Sequence, residues 1–532
     1  MAITRWTPSQ MVTRQEQYLL KRLGRTRKLF GFLRERRLEL FDDTFQAELE
    51  TMYRSTGAGK DPKPPAMMAM AMLLQGYVGA SDAEAVELTV VDLRWQMVLG
   101  RLGEAEPAFS QGAFQAFRER IIAADLDRRL LERTAEIARE SGAYDPGKLP
   151  KTLRVAIDSS PLEGAGRVED TINLLAHAGR KLVSCAAALL DWPKEQVCTE
   201  AGIPLLLESS VKKALDLTWS DTAEKSAALA VLVEQLVRLD LWVDGQFGPE
   251  AKRPPLKEHV DTLHQLIHQD LEPDPSGKGG PRIRQEVVPE RRISVEDKEM
   301  RHGRKSKSKR FNGYKRHIAT DLDTALVLAC AITPANRPEQ EAAPDLALDL
   351  AHGGHQVDDL YIDRGYINAT LVDDVLRRRG SVICRPWVAR NGNLFSKSAF
   401  DINMRDRTIT CPAGETERFI TGSTVEFESA ACDRCALRAR CTEASMGHGR
   451  TVSIADNEPL QHRLRKLTQT VQGRARLRER VSVEHRLAHV SRRQGRRARY
   501  RGARKNIFDL RRASAITNLE TIHLRGALNI AA

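Results

Sequence analysis

Two short apolar runs, far apart in the chain, each end in an aspartate: residues 153–158 read LRVAID and residues 360–363 read LYID. Runs of this length and composition are buried strands. A carboxylate beside a core is costly unless it is hydrogen-bonded, paired or bound to a metal. Each aspartate taken alone has an ordinary explanation, because Asp favours the turns that follow strands. Taken together they constrain the fold. If both strands belong to one sheet, Asp158 and Asp363 lie at neighbouring strand ends and can share a divalent cation.

The segments around Asp363 supply such a sheet. YKRHIATDLDTALVLACAITPAN gives two apolar runs around DLDT, a hairpin pattern. RPEQEAAPDLALDLAHGG has helical spacing and a glycine stop. VDDLYIDRGYI then reads as strand, NATLVDDVLRRRG as helix and SVICRPW as strand. With the Asp158 strand in front, this predicts an α/β layer of five strands flanked by helices.

Residues 1–145 read as helices, with Ser81 and Glu84 spaced as a capping box and GAYDPGKLPK as the linker at their end. Residues 167–270 are again helical and end in the turn-rich EPDPSGKGGPR. The expected division is a helical segment 1–145, an α/β core 146–390 with a helical insertion at about 167–290, a cysteine-rich insertion 391–455, and a final core segment 456–532 with a basic tail.

The 532 residues carry a formal charge of +12, which favours a polyanionic partner, nucleic acid before a membrane surface. The charge is uneven. Residues 301–317 hold eight Lys or Arg and no acid, and residues 461–512 hold 18 against three acids. The first run is either a disordered basic loop or a phosphate track, and both hold if it orders on binding. The N-terminus lacks a secretory h-region, and PPAMMAMAMLLQGYVGA is too short to span a bilayer, so a cytoplasmic location is expected.

A third acid comes from RLRERVSVEHRLAHVSRR. On a helix, Leu477, Val481, Glu484 and Ala488 share one face, which puts Glu484 in an apolar stripe. There it is a partner of Arg480 one turn earlier, a metal ligand, or a sign that the register is off. Arg480, Arg492 and Arg493 lie within reach of it to hold phosphate, while Glu479 falls among arginines as a solvated ion-pair partner. Asp297 is read as a surface acid and His317 as a satisfied strand residue beside Lys315.

In order and context, Asp158, Asp363 and Glu484 resemble the acidic triad of the DDE transposases of bacterial insertion sequences. The phrases AIDSSPLEGAG, GYKRHIATD, ITPANRPE, YIDRGYIN and VEHRLAH carry the resemblance, as does FQAFRERI in the helical N-terminal part. Relatives carry a Tyr-Arg-Glu-Lys pattern around the last acid. Here Arg480 and Glu484 fit it, while Leu477 and Ser491 stand at the Tyr and Lys positions. The resemblance implies a ribonuclease-H-like fold and two Mg²⁺ or Mn²⁺ ions held by the three acids. It implies cleavage of transposon ends, joining of the 3′-hydroxyl to double-stranded target DNA, and a homodimer on DNA. Arg480, Arg492, Arg493, Lys315 and Arg364 become the DNA-binding residues. The alternative is a catalytically inactive, zinc-bearing DNA-binding protein derived from a transposase.

Of eight cysteines, Cys185, Cys198, Cys330 and Cys384 sit in apolar contexts and fill core space. Cys411, Cys432, Cys435 and Cys441 cluster with a C-x₂-C step, a pattern for structural Zn²⁺; otherwise they are reduced thiols.

Overall fold

The computed structural model describes residues 3–24, 28–53, 61–145, 147, 149–215, 221–274, 280–286 and 288–531. Parts of the expected linker (146 and 148) and of the turn-rich break (275–279) lie outside them.

The N-terminal segment is helical, as its capping signals predict. Ser81 accepts from the Glu84 N–H and Glu84 reaches back to the Ser81 N–H, which completes the capping box. Four of its helices contact the C-terminal end of the chain, two of them most extensively. α1 (Pro65–Val78) starts on a proline and ends at Gly79 in the left-handed conformation, and its apolar body is almost wholly buried. α2 (Leu126–Glu140) begins after a sharp turn at Asp125. Then comes β1 (Leu153–Glu163), which runs on past Asp158 instead of stopping there. Pro161 is tolerated inside this strand because β1 is paired on only one side at that point.

The insertion supplies three long helices: α3 (Thr171–Leu190), α4 (Thr222–Phe247) and α5 (Leu256–Asp270). Leu175, Leu182, Leu236 and Leu263 form a core of their own there, separate from the main one. Its first and last long helices are tied to the chain that follows: Arg291 holds the buried Asp270, which accepts from Thr171.

The main sheet then assembles from β2 (Arg301–Arg304), β3 (Arg310–Asp321), β4 (Val327–Pro334), β5 (Val357–Tyr361) and β6 (Ser381–Ile383). Its order is β4-β3-β1-β5-β6, with β2 paired to the first residues of β3. β1 is antiparallel to β3 and parallel to β5, and β5 is parallel to β6. The expected five strands are therefore six. The basic run 301–317 is a hairpin, because its alternating residues pair Arg301 with Gly313 and Arg304 with Arg310. The tip, residues 304–310, is exposed throughout.

α6 (Ala343–His352) and α7 (Thr370–Arg377) are the crossovers on either side of β5. At the C-terminal end, α8 (Val471–Glu479) and α9 (Val481–Gln494) precede the long α10 (Ala503–Ala531). α6 and α10 both pack on β4, which explains why β4 is apolar from Val327 to Ile332 instead of alternating. The Asn518 amide bonds both the N–H and the C=O of Val327 at 2.8 Å, and also reaches Thr134 of α2 at 2.9 Å. Arg511 is buried with Asp127 of α2 at 3.0 Å and Asp349 of α6 at 2.7 Å. The N-terminal helices, the sheet and α10 thus share one continuous hydrophobic core. This is a mixed α/β, ribonuclease-H-like sheet flanked by helices. No helix among the described residues is long and apolar enough to cross a membrane.

Candidate active site

β1 and β5 are paired only up to Ala156 and Tyr361. Past that rung the two segments part, and the gap between them opens a cleft of about 500 Å³. Asp158, Asp363 and Glu484 all line it. Asp158 comes from the interior of β1 and its side chain is 18% exposed. Asp363 lies just past β5, and its carboxylate accepts from the Arg364 N–H at 2.6 Å. The capping role therefore holds for Asp363 alone, and it leaves the aspartate on the cleft. For Asp158 the continuing strand removes that explanation.

Glu484 reaches the cleft from α9, but not in the predicted register. The buried stripe of α9 is Val483, Leu487, Val490 and Gln494, whereas Val481, Glu484 and Ala488 are exposed. The chain breaks between α8 and α9 at Arg480, so a single continuous helix through Leu477 misplaces the face. The Glu484 side chain is 50% exposed.

Arg480 stands between two of the acids. Its guanidinium is 2.8 Å from Glu484 Oε1 and 3.4 Å from Asp158 Oδ1. Burial raises the Asp158 carboxyl above its ordinary value; Arg480 pulls it back, and Glu484 and Asp363 push it further up. Among the described residues, no three His, Cys, Asp or Glu side chains are drawn together tightly enough to hold an ion as they stand. The chemistry of the donor set nevertheless suits Mg²⁺ or Mn²⁺: hard carboxylate oxygens around an open cleft.

The departures from the family pattern have partners here. The Ser491 hydroxyl lies 3.2 Å from that of Ser160, joining α9 to β1, and Leu477 packs against the main core. Glu479 is the exposed ion-pair partner that the sequence suggests: it pairs with Arg154, and it also accepts from the Tyr361 hydroxyl at 2.7 Å, fastening the end of α8 to β1 and β5.

The predicted DNA-binding residues divide. Lys315 lines the cleft, with its ammonium on the Arg337 carbonyl at 2.8 Å, and Arg304 and Lys305 of the hairpin join it there. Arg364 and Arg492 are exposed. Arg493 is engaged elsewhere: it pairs with Glu520 and lies 5.3 Å from the Tyr77 ring centre. Asp297 is buried, not superficial, and accepts from the Tyr314 hydroxyl at 2.6 Å and the Gly502 N–H at 3.2 Å. His317 is a satisfied strand residue. It lies between Tyr366 and Thr333, and burial pushes it down to about 3.

One cleft residue is invisible along the sequence. Glu339, within the phrase ITPANRPE, lines the cleft and accepts from Ser159 at 2.6 Å. Its only sequence signal is an acid just past a strand, which is too common to single out.

Cys411, Cys432, Cys435 and Cys441 surround a second cavity of about 350 Å³, all as free thiols. Cys411, Cys432 and Cys441 pack against a small core built on Phe400, Ile409 and Phe427. The Leu437 N–H donates to the Cys435 sulfur at 3.4 Å and the Arg450 N–H to the Cys432 sulfur at 3.5 Å. Burial raises the Cys441 thiol and the other three sulfurs raise it further, against the pull of Arg450.

Compared with known families, residues 283–519 match a model described as a transposase DDE domain, and residues 27–120 match one described as a transposase domain. The first match contains Asp363 and Glu484 and begins downstream of Asp158. No curated protein and no solved structure matches the chain.

Proposed function

The chain belongs to the DDE transposases of insertion-sequence type, and from that premise we propose that it cuts transposon ends and joins them to target DNA at the Asp158 cleft. Asp158, Asp363 and Glu484 would hold two divalent cations. When bound, such ions activate an attacking oxygen and stabilise the leaving one. In the first step water attacks a phosphodiester phosphorus at the transposon end. The P–O bond to the 3′ oxygen breaks, and that oxygen leaves as a 3′-hydroxyl. In the second step the 3′-hydroxyl attacks a target phosphodiester and displaces a new 3′-hydroxyl.

The residues of this chain orient and neutralise. Arg480 sits among the acids, where a scissile phosphate would meet its guanidinium. Lys315, Arg364 and Arg492, with the exposed tip of the β2–β3 hairpin, supply charge for the flanking backbone. Arg493 contributes to packing instead. Two ends must meet, which favours a homodimer on DNA. The four cysteines would hold one structural Zn²⁺. Their shared cavity and the N–H donors on Cys432 and Cys435 favour thiolates there.

The observation that carries the reading is the meeting of residues 158, 363 and 484 on one cleft. The experiment is nicking of a duplex bearing the element's own end, in Mg²⁺ or Mn²⁺, by the unchanged chain and by Asp363→Asn and Glu484→Gln. Loss of nicking with end binding retained supports it. Native nicking by both variants would remove these acids from the site, and no nicking by the unchanged chain would leave only a DNA-binding protein.

A further inference from the structure

Glu339 is not one of the three acids, and neither step of the proposed reaction uses it. It opens the short turn Glu339–Ala342 beyond β4. One carboxylate oxygen accepts from Ser159, the neighbour of Asp158, at 2.6 Å. The other lies against Gly365, two residues past Asp363: a Cβ added there would come within 2.1 Å of it. A side chain at 365 would push this carboxylate out of its place. Glu339 therefore touches both segments that deliver aspartates.

Those segments need such a contact. The last rung between β1 and β5 is Ala156 with Tyr361, so no ladder hydrogen bond ties Asp158 to Asp363. Beneath Glu339 the support continues. The buried Tyr366 hydroxyl meets His317 Nδ1 at 2.6 Å, and His317 Nε2 meets Thr333 Oγ1 at 2.9 Å. Thr333 lies on β4, on the approach to Glu339. The contacts close a ring through β1, β3, β4 and the turn after β5.

We infer that Glu339 is a positioning residue of the cleft: through Ser159 and Gly365 it fixes the separation of Asp158 and Asp363. Mg²⁺ and Mn²⁺ tolerate little error in ligand spacing, so loosening this contact weakens cation binding before it weakens the fold. The inference rests on Asp158 and Asp363 being cation ligands.

The test is Mn²⁺ binding by the full chain without DNA, monitored by electron paramagnetic resonance, with thermal melts beside it. Glu339→Ala and Ser159→Ala should each weaken binding about ten- to a hundredfold, the usual cost of losing a ligand's support. The double variant should be no weaker than the worse single, because both remove one contact. Glu339→Gln still accepts from Ser159 and should stay within about threefold of the unchanged chain. Ser159→Ala carries the test if Glu339→Ala does not fold. Native Mn²⁺ binding by Ser159→Ala and Glu339→Ala overturns the inference. So does a weak Glu339→Gln beside a native Ser159→Ala, which would make the charge itself the ligand. Asp158→Asn separates the positioning role from the cleft site: undiminished Mn²⁺ binding there removes the site itself, whatever Glu339 does.

Discussion

The acid cleft and the cysteine pocket are both gatherings of metal-seeking side chains, and they are assembled in opposite ways. The acids come from residues 158, 363 and 484, carried by a strand, a turn and a helix that meet only when the sheet closes. The thiols come from residues 411–441, brought together by short turns around a core of a few apolar side chains. The cleft keeps an arginine between two of its acids and opens to solvent. The thiols sit around a cavity with backbone N–H groups aimed at two of the sulfurs. The difference separates a site that exists only once distant elements have met from one that a short stretch of chain can build by itself.

Breaking the cleft should have the largest effect. Asp158→Asn is expected to lower Mn²⁺-dependent nicking by at least about a hundredfold, more than loss of a mere supporting contact. End binding in a gel-shift assay should stay within about twofold. Native nicking would remove Asp158 from the site.

Next comes the pocket. Purified chain should contain about one zinc, and Cys432→Ser should contain almost none by elemental analysis. That variant should show early proteolysis confined to residues 391–455 and keep cleft Mn²⁺ binding. A metal-free native chain after gentle purification would break the contrast.

Arg480 sharpens it further. Arg480 holds the Asp158 carboxyl down against burial and two neighbouring acids. In Arg480→Gln that pull is gone, so Asp158 stays protonated to higher pH. The acid limb of Mn²⁺ binding should then move to higher pH. An unmoved limb would mean that Arg480 does not govern the acid.

The smallest effect belongs to Ser491→Ala. Losing the Ser160 contact should cost about 1 kcal/mol in a denaturation curve, with nicking nearly unchanged.

Much of this is legible along the chain, and the failures have physical causes. The hairpin, crossover helices and parallel strands around Asp363 announce themselves by their apolar runs and by the turn residues between them, whatever partners they later find. The strand beyond Asp158 is not legible. Small polar residues and a proline argue for a turn, and only the one-sided pairing of β1 makes Pro161 acceptable. The register of α9 fails at Arg480, where a helix break shifts every later face. The β2–β3 hairpin hides behind its charge, since period two is hard to see among lysines and arginines. Asp297 looks superficial because nothing local marks its partner, Tyr314, as buried beside it.

By itself the sequence determined which residue types end the apolar runs, and hence that acids would lie next to a core. It also determined the short-range thiol spacing, since about thirty residues of chain suffice to gather all four into one small module. Only the tertiary structure decided that the acids share a cleft, that Arg480 stands between two of them, and that Glu339 braces the gap. Those facts depend on where β1 and β5 stop pairing and how α9 crosses β1, and neither is written in any local stretch of chain.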